Sequence, residues 1–241
     1  MFARRRFFHT RSPHMNSLVV KPSLGLVITG TGTGIGKTHV SCALLEAFTA
    51  RGQRCLGLKP VETGYTDPEA SDAAALARSA RHPLVTPCFT SPTPQSPHRV
   101  ARDAGVRVPA TDLAAWVHAR VAEHQPDIVV VETAGGLFTP LSEEETNLDL
   151  VASLGAYRFA LVALDRLGAL HDVLVCTTAA AASLRAPDFV YLNVREPNAS
   201  ALGNSAELCR LRPTLAPAIL PQNPPRSWSD VVTHLFTSVR D

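Results

Sequence analysis

The sequence predicts an α/β fold, a single domain built on a parallel sheet with helices on both faces. Two observations carry this. Short apolar runs alternate with helical stretches from Leu24 onward, and several runs are apolar on successive residues, as in IVVVE and FALVALD. A strand covered on both faces needs such a run, whereas a half-solvated strand alternates. Strands are expected at 24–29, 55–59, 127–132, 159–165 and 188–193, and helices at 37–50, 71–80, 111–123, 170–183 and 205–211. In the third helix Leu113, Trp116, Val117 and Val121 recur on one face behind a Thr or Asp start. Strand–helix alternation of this kind gives parallel strands joined by crossover helices. Residues 86–109 are rich in Pro, Ser and Thr and read as a long irregular connection.

Composition narrows the function classes. The chain has 241 residues, 45% hydrophobic and 18% charged, which suits a packed core and excludes an intrinsically disordered protein. The net charge is +2, and without Arg4, Arg5, Arg6 and Arg11 it becomes −2. The body therefore has no basic excess with which to grip nucleic acid. No apolar run approaches the roughly 20 residues of a membrane span, so neither nucleic acid nor membrane is an expected partner. Cys42, Cys55, Cys88, Cys176 and Cys209 are odd in number, scattered and without a C-x-x-C pair. They read as reduced thiols of a cytoplasmic protein rather than a zinc site or disulfide framework. Residues 1–20 are Arg-rich at the start and read as a tail; organelle targeting and translation from Met15 are alternative readings. Residues 21–241 form the expected domain.

After the first strand comes Gly30-Thr31-Gly32-Thr33-Gly34-Ile35-Gly36-Lys37-Thr38, then a helix. A glycine-rich turn lets backbone N–H groups point at phosphate oxygens, and the helix N-terminus adds partial positive charge. Lys37 is placed to reach the β- and γ-phosphates of ATP, and the Thr38 hydroxyl to bind Mg²⁺. The spacing is one residue longer than G-x-x-x-x-G-K-[ST], but strand before and helix after support a P-loop NTPase-like fold. Of the 23 basic residues only Lys21, Lys37 and Lys59 are lysines. Two of the three stand where a compact ammonium serves better than a planar guanidinium.

Lys59 ends the second strand and opens Lys59-Pro60-Val61-Glu62-Thr63-Gly64. Ligands of α/β sheets bind at such strand ends; the alternative is a surface lysine facing solvent, whose loss would leave the fold intact. Asp72 stands at a helix start, where the dipole alone would favour an acid. Glu132 ends an otherwise apolar strand, where an acid is costly unless paired or facing a ligand. Beside a phosphate loop it reads as a Mg²⁺ carboxylate, and Gly135-Gly136 behind it frees further backbone donors. Asn193, closing a late strand, either meets an adenine edge or forms a turn. His98, in Ser-Pro-His, reads as a loop histidine.

Together ITGTGTGIGKT, CALLEA, LKPVETG, the SD of SDAAAL, SPH, VVVETAGGLFTPLS, LGAL and Asn193 resemble the dethiobiotin synthetase family. The resemblance runs from about Leu24 to Pro221, and that family's phosphate loop has the same longer spacing. It implies an ATP- and Mg²⁺-dependent cyclo-ligase of biotin biosynthesis, forming C–N bonds and acting as a homodimer. Diaminononanoate and CO₂ give a carbamate, ATP phosphorylates it, and the neighbouring amine closes the ring to dethiobiotin, ADP and phosphate. By this resemblance Lys59 holds the carbamate and Lys37 the transferring phosphoryl group. Thr38, Asp72 and Glu132 hold Mg²⁺, and Thr63 contacts substrate. Gly34, Ile35, Gly36, Lys37, Thr38, His39, Thr133, Ala134, Gly135, Asn193 and Pro221 line ATP together with Asp72 and Glu132.

Departures from the pattern bear on the substrate. Gly32 and Gly34 stand where such loops often carry acids, and His171-Asp172 follows LGAL in place of Asn-His. Asp172 would repel a substrate carboxylate if it faced the site, which leaves a shifted chain-length preference open. Two rival readings remain: a cobyrinic-acid-type ligase domain, and a nucleotide-switch ATPase acting on a protein partner.

Overall fold

The computed structural model describes residues 22–194, 203–215 and 218–221. The predicted tail lies outside them. Six parallel strands form the main sheet in the order β2-β5-β1-β6-β7-β8. They are β1 (Leu24–Gly30), β2 (Cys55–Leu58), β5 (Ile128–Glu132), β6 (Arg158–Leu164), β7 (Phe189–Val194) and β8 (Ala218–Pro221). The remaining two, β3 (Val61–Thr63) and β4 (Phe89–Ser91), pair in parallel as a separate small sheet. The helices are α1 (Lys37–Ala50), α2 (Asp72–Ala80), α3 (Pro97–Asp103), α4 (Ala110–His124), α5 (Asn147–Leu154), α6 (Ala169–Ser183) and α7 (Asn204–Leu211).

Successive strand residues divide between two cores, as a doubly covered sheet requires. Leu26, Ile28, Val130 and Val162 pack against Val40, Leu44 and Phe48 of α1 and Leu76 of α2. Val27, Val129, Val131 and Leu161 turn to the opposite face, beneath Leu113 and Val117 of α4 and Leu150 of α5. Farther along that face Ala163 and Leu192 meet Val173 of α6 and Leu208 of α7.

Two expectations need correction. Residues 86–109 are not irregular throughout: they contain β4 and α3, and β4 pairs with the residues just after Lys59. An additional helix, α5, follows the glycine pair, started by Thr146 and Asp149 in a reciprocal cap. The strand order reverses at β1, which has β5 on one side and β6 on the other. Crevices beyond the C-terminal ends of parallel strands at such a reversal are where α/β ligands sit, and the phosphate loop, Lys59 and Glu132 all leave the sheet there.

Candidate active site

The loop between β1 and α1 is shaped by its glycines and tied to its neighbours. Gly34 and Gly36 have φ of 71° and 95°, left-handed values that a side chain would resist, and α1 starts directly after Gly36. The Thr31 N–H donates to the Val162 carbonyl at 2.9 Å and the Leu137 N–H to the Gly30 carbonyl at 2.7 Å. Lys37 folds back over the loop and donates to the Gly32 carbonyl at 2.9 Å. Burial, reinforced by the charge of Lys59, pulls the Lys37 pKa down to about 8. The two ammonium groups therefore share one electrostatic environment.

A consequence follows for pH. Lys37 of the free protein sheds its proton as pH rises through about 8, so affinity for ATP should fall across that range. Titration calorimetry at fixed Mg²⁺ checks this; affinity independent of pH between 7 and about 9 would contradict it. The unfolded chain keeps this proton up to the ordinary value of 10.5. Between the two values the unfolded state binds more protons, so Lys37 makes the fold more stable as pH climbs.

Lys59 stands one residue beyond β2, and β2 pairs with β5, whose last residue is Glu132. Its ammonium donates to Glu132 Oε1 at 2.6 Å and to Asp72 Oδ2 at 2.8 Å. The Thr38 hydroxyl lies 2.9 Å from Glu132 Oε1 and 3.0 Å from Asp72 Oδ1, its proton shared between the two carboxylates. Lys59 is only 4% exposed. The alternative of a lysine facing solvent is thus overturned, because two carboxylates compensate the ammonium inside the protein. Burial works against the Lys59 charge, but Glu132 and Asp72 outweigh it and hold its pKa above the ordinary lysine value. Burial likewise opposes the Asp72 charge, and Lys59 and Thr38 together bring its pKa below the usual range.

Glu132 is fully buried, and its second oxygen, Oε2, has no hydrogen-bond partner among the described residues. A buried, unpaired carboxylate oxygen is costly unless a cation meets it. A hydroxyl and two carboxylates suit Mg²⁺, which takes one or two carboxylates and fills its shell with phosphate oxygens and water. Among the described residues no cluster of three or more His, Cys, Asp or Glu forms a metal cage. The residues fit an ion shared with a nucleotide better than one held by protein alone.

The glycine segment after β5 closes the other side. Thr133 is buried, its hydroxyl 3.2 Å from that of Thr29. A Cβ on Gly136 would come 3.1 Å from the Gly30 carbonyl oxygen and from the Gly32 nitrogen, so this turn lies directly against the phosphate loop. Asn147, first residue of α5, donates to the Ala134 and Gly136 carbonyls, both at 2.7 Å. Sequence reading missed Asn147, although the Thr146–Asp149 cap marked the helix start beside it. Asn147→Leu should cost about 2–3 kcal/mol, two buried bonds lost and two carbonyls left bare. Urea denaturation measures it; unchanged stability would mean water replaces the amide.

Beyond Lys59 the crevice opens into a cavity of about 380 Å³ lined by Thr33, Glu62, Thr63, Ala134 and Gly135 among others. Thr63 donates to the Gln95 carbonyl at 2.9 Å. Glu62, also missed from sequence, is buried and accepts the N–H groups of Asp72 and Ala73 at the start of α2. His39 lies on α1, half-buried. Asn193 is buried and spends its amide N–H on the Ile35 carbonyl at 2.9 Å, so the turn-forming reading fails. Only its Oδ1 is left without a partner among the described residues. The Pro221 backbone pairs with Val194 at the sheet edge, and its side chain lies outside the described residues. His98 makes a 2.9 Å contact with Ser96 and lines a different cavity. Asp172 is paired with Arg166 at 2.9 Å, which compensates the charge expected to repel a carboxylate.

A glycine loop between strand and helix, its lysine and threonine beside two carboxylates at a sheet reversal, defines a P-loop nucleotide-binding protein. Solved structures of that fold agree: a MinC:MinD cell division complex from Aquifex aeolicus covers 83% of this chain and 82% of its own at 14% identity and TM-score 0.51. Chloroplast FtsY from Physcomitrella patens matches at 17% identity and TM-score 0.52, over 81% of this chain and 57% of its own. A family model described as an AAA domain matches residues 24–228. An ATP-dependent dethiobiotin synthetase BioD from Anaeromyxobacter sp. (strain K) is 38% identical over 83% of this chain and 91% of its own length. A namesake from Caulobacter sp. (strain K31) is 39% identical over 64% and 69%. The chain belongs to the ATP-dependent dethiobiotin synthetase family.

Proposed function

We propose that the chain converts 7,8-diaminononanoate, CO₂ and ATP to dethiobiotin, ADP and phosphate, in three steps. An amine of the diamine takes up CO₂ and loses a proton, giving a carbamate. A carbamate oxygen takes the γ-phosphoryl group of ATP, releasing ADP. The second amine, once it has shed its ammonium proton, attacks the carbamate carbon, loses a second proton as phosphate is expelled, and closes the ureido ring. The observation that carries this reading is Lys59, a buried ammonium at a strand end between the phosphate loop and a cavity large enough for a small organic substrate.

Lys59 holds the carbamate and its developing charge from the cavity side. Lys37 meets the transferring phosphoryl group from the loop, and the backbone donors of Gly34 to Thr38 orient the nucleotide. Thr63 touches substrate near the carbamate. The donor set of Thr38, Asp72 and Glu132 is read as the seat of Mg²⁺, which when bound neutralises phosphate charge. Thr133, Ala134, Gly135, Asn193 through its free Oδ1, and Pro221 line ATP. No protein nucleophile is required, because the substrate amines and CO₂ supply the reacting atoms. We place the enzyme in the cytoplasm, in keeping with five cysteines that form no disulfide. A homodimer would cover Leu167 and Val175, which are 86% and 52% exposed around the start of α6.

The test is incorporation of labelled bicarbonate into acid-stable product with ATP and diaminononanoate, alongside phosphate release. Label in dethiobiotin, with ATP turnover dependent on the diamine, is expected. Brisk ATP hydrolysis with neither diamine nor bicarbonate, and no labelled product, would overturn the assignment in favour of a nucleotide switch.

A further inference from the structure

We infer that Glu62 holds the free ammonium of the diamine while Lys59 holds the carbamate on its neighbour, and so sets the enzyme's preference for a diamine; this rests on the reading above. The cavity beyond Lys59 has two charged side chains in its lining, Lys59 and Glu62, three positions apart in one short stretch. Their side chains carry opposite charges, and both residues are at least nine-tenths buried. A diamine that has taken up CO₂ on one nitrogen presents the complementary arrangement: an anionic carbamate next to a cationic ammonium.

The Glu62 carboxylate is also fixed in place. Oε1 accepts the Asp72 N–H at 2.5 Å and Oε2 the Ala73 N–H at 3.2 Å. Each oxygen thereby spends one lone pair on the start of α2 and keeps another. A carboxylate locked by backbone donors loses little freedom on meeting a ligand. Burial pushes the Glu62 carboxyl above the usual carboxylate range, and the Asp72 and Ala73 N–H groups and the charge of Lys59 work against that rise. The phosphate loop, Gly30 to Thr38, holds no acidic residue that would compete for the ammonium. Within the lining of this cavity Glu62 supplies the carboxylate.

The experiment compares binding of 7,8-diaminononanoate with that of the two monoamines lacking one nitrogen, by calorimetry on full-length protein, together with the KM of each substrate in the labelled-bicarbonate assay. Glu62→Gln keeps an oxygen for the Asp72 N–H but loses the charge. It should weaken diamine binding by about 10- to 100-fold, the loss of one charge-assisted hydrogen bond. Binding of the monoamine that retains only the carbamate-forming nitrogen, and the KM for ATP, should stay unchanged. Glu62→Asp, which keeps the charge but withdraws it, should fall between and guards against a misfolded Gln variant. An equal loss for diamine and both monoamines, or an unchanged diamine KM, overturns the ammonium contact and leaves Glu62 as a helix cap. Wild-type protein that converts no diaminononanoate fails the parent reading and takes this one with it; a converting wild type with an indifferent Glu62→Gln fails this one alone.

Discussion

Lys59→Ala is expected to abolish dethiobiotin formation, with a fall of at least about a thousand-fold in turnover, the scale of losing a fixed charge that meets developing negative charge. The same change should lower stability by about 3–5 kcal/mol, because Glu132 keeps its buried charge with no cation beside it, while the half-exposed Asp72 loses a partner but can turn to water. The solvent-facing picture of this lysine predicts the first effect without the second. Single-turnover product formation and urea denaturation therefore separate the two accounts. Normal ring closure would remove Lys59 from the mechanism. A catalytically dead variant with wild-type stability would show that the 2.6 Å pair with Glu132 contributes nothing to the fold.

Glu132→Gln should raise the Mg²⁺ concentration needed for half-maximal rate by at least about 10- to 100-fold, the scale on which even outer-shell partners act. Direct Mn²⁺ binding, followed by its paramagnetic signal, should weaken in parallel. The KM for diaminononanoate should stay near wild type, since Glu132 is not among the residues lining the substrate cavity. A defect confined to the diamine would contradict metal ligation. The amide also replaces a charge that holds Lys59, so some loss of stability should accompany the metal defect.

The main sheet was legible because its strands are buried on both faces: Ile128 to Val131 leave no polar residue to obscure the period. Lys37 and Thr38 were legible for a different reason, since a glycine turn between strand and helix is a local signal. The small sheet was not. Its strand β4 is three residues long and half-exposed in the middle of a Pro-rich stretch, and its partner lies 28 residues earlier in register. The start of α3, a Ser followed by Pro, is a helix signal that was available and passed over. Lys59 shows the limit most clearly. Its residue type marked a site, but its burial depends on carboxylates 13 and 73 residues away, which only the assembled sheet brings together. Glu62 and Asn147 escaped for the same reason, because each binds backbone atoms contributed by another segment.

The approach of Gly136 to Gly30 and Gly32, with a Cβ position about 3.1 Å from main-chain atoms, means that the turn after β5 cannot thicken at Gly136 without the phosphate loop giving way. The two turns form a single bracket, anchored from behind by Asn147 and from the side by Asn193. Attempts to retrain this protein for another phosphate donor would therefore meet resistance if they enlarged residues in the bracket. The cavity's far wall is built from another part of the chain, Pro94 and Gln95 of the segment after β4, and lies outside that bracket.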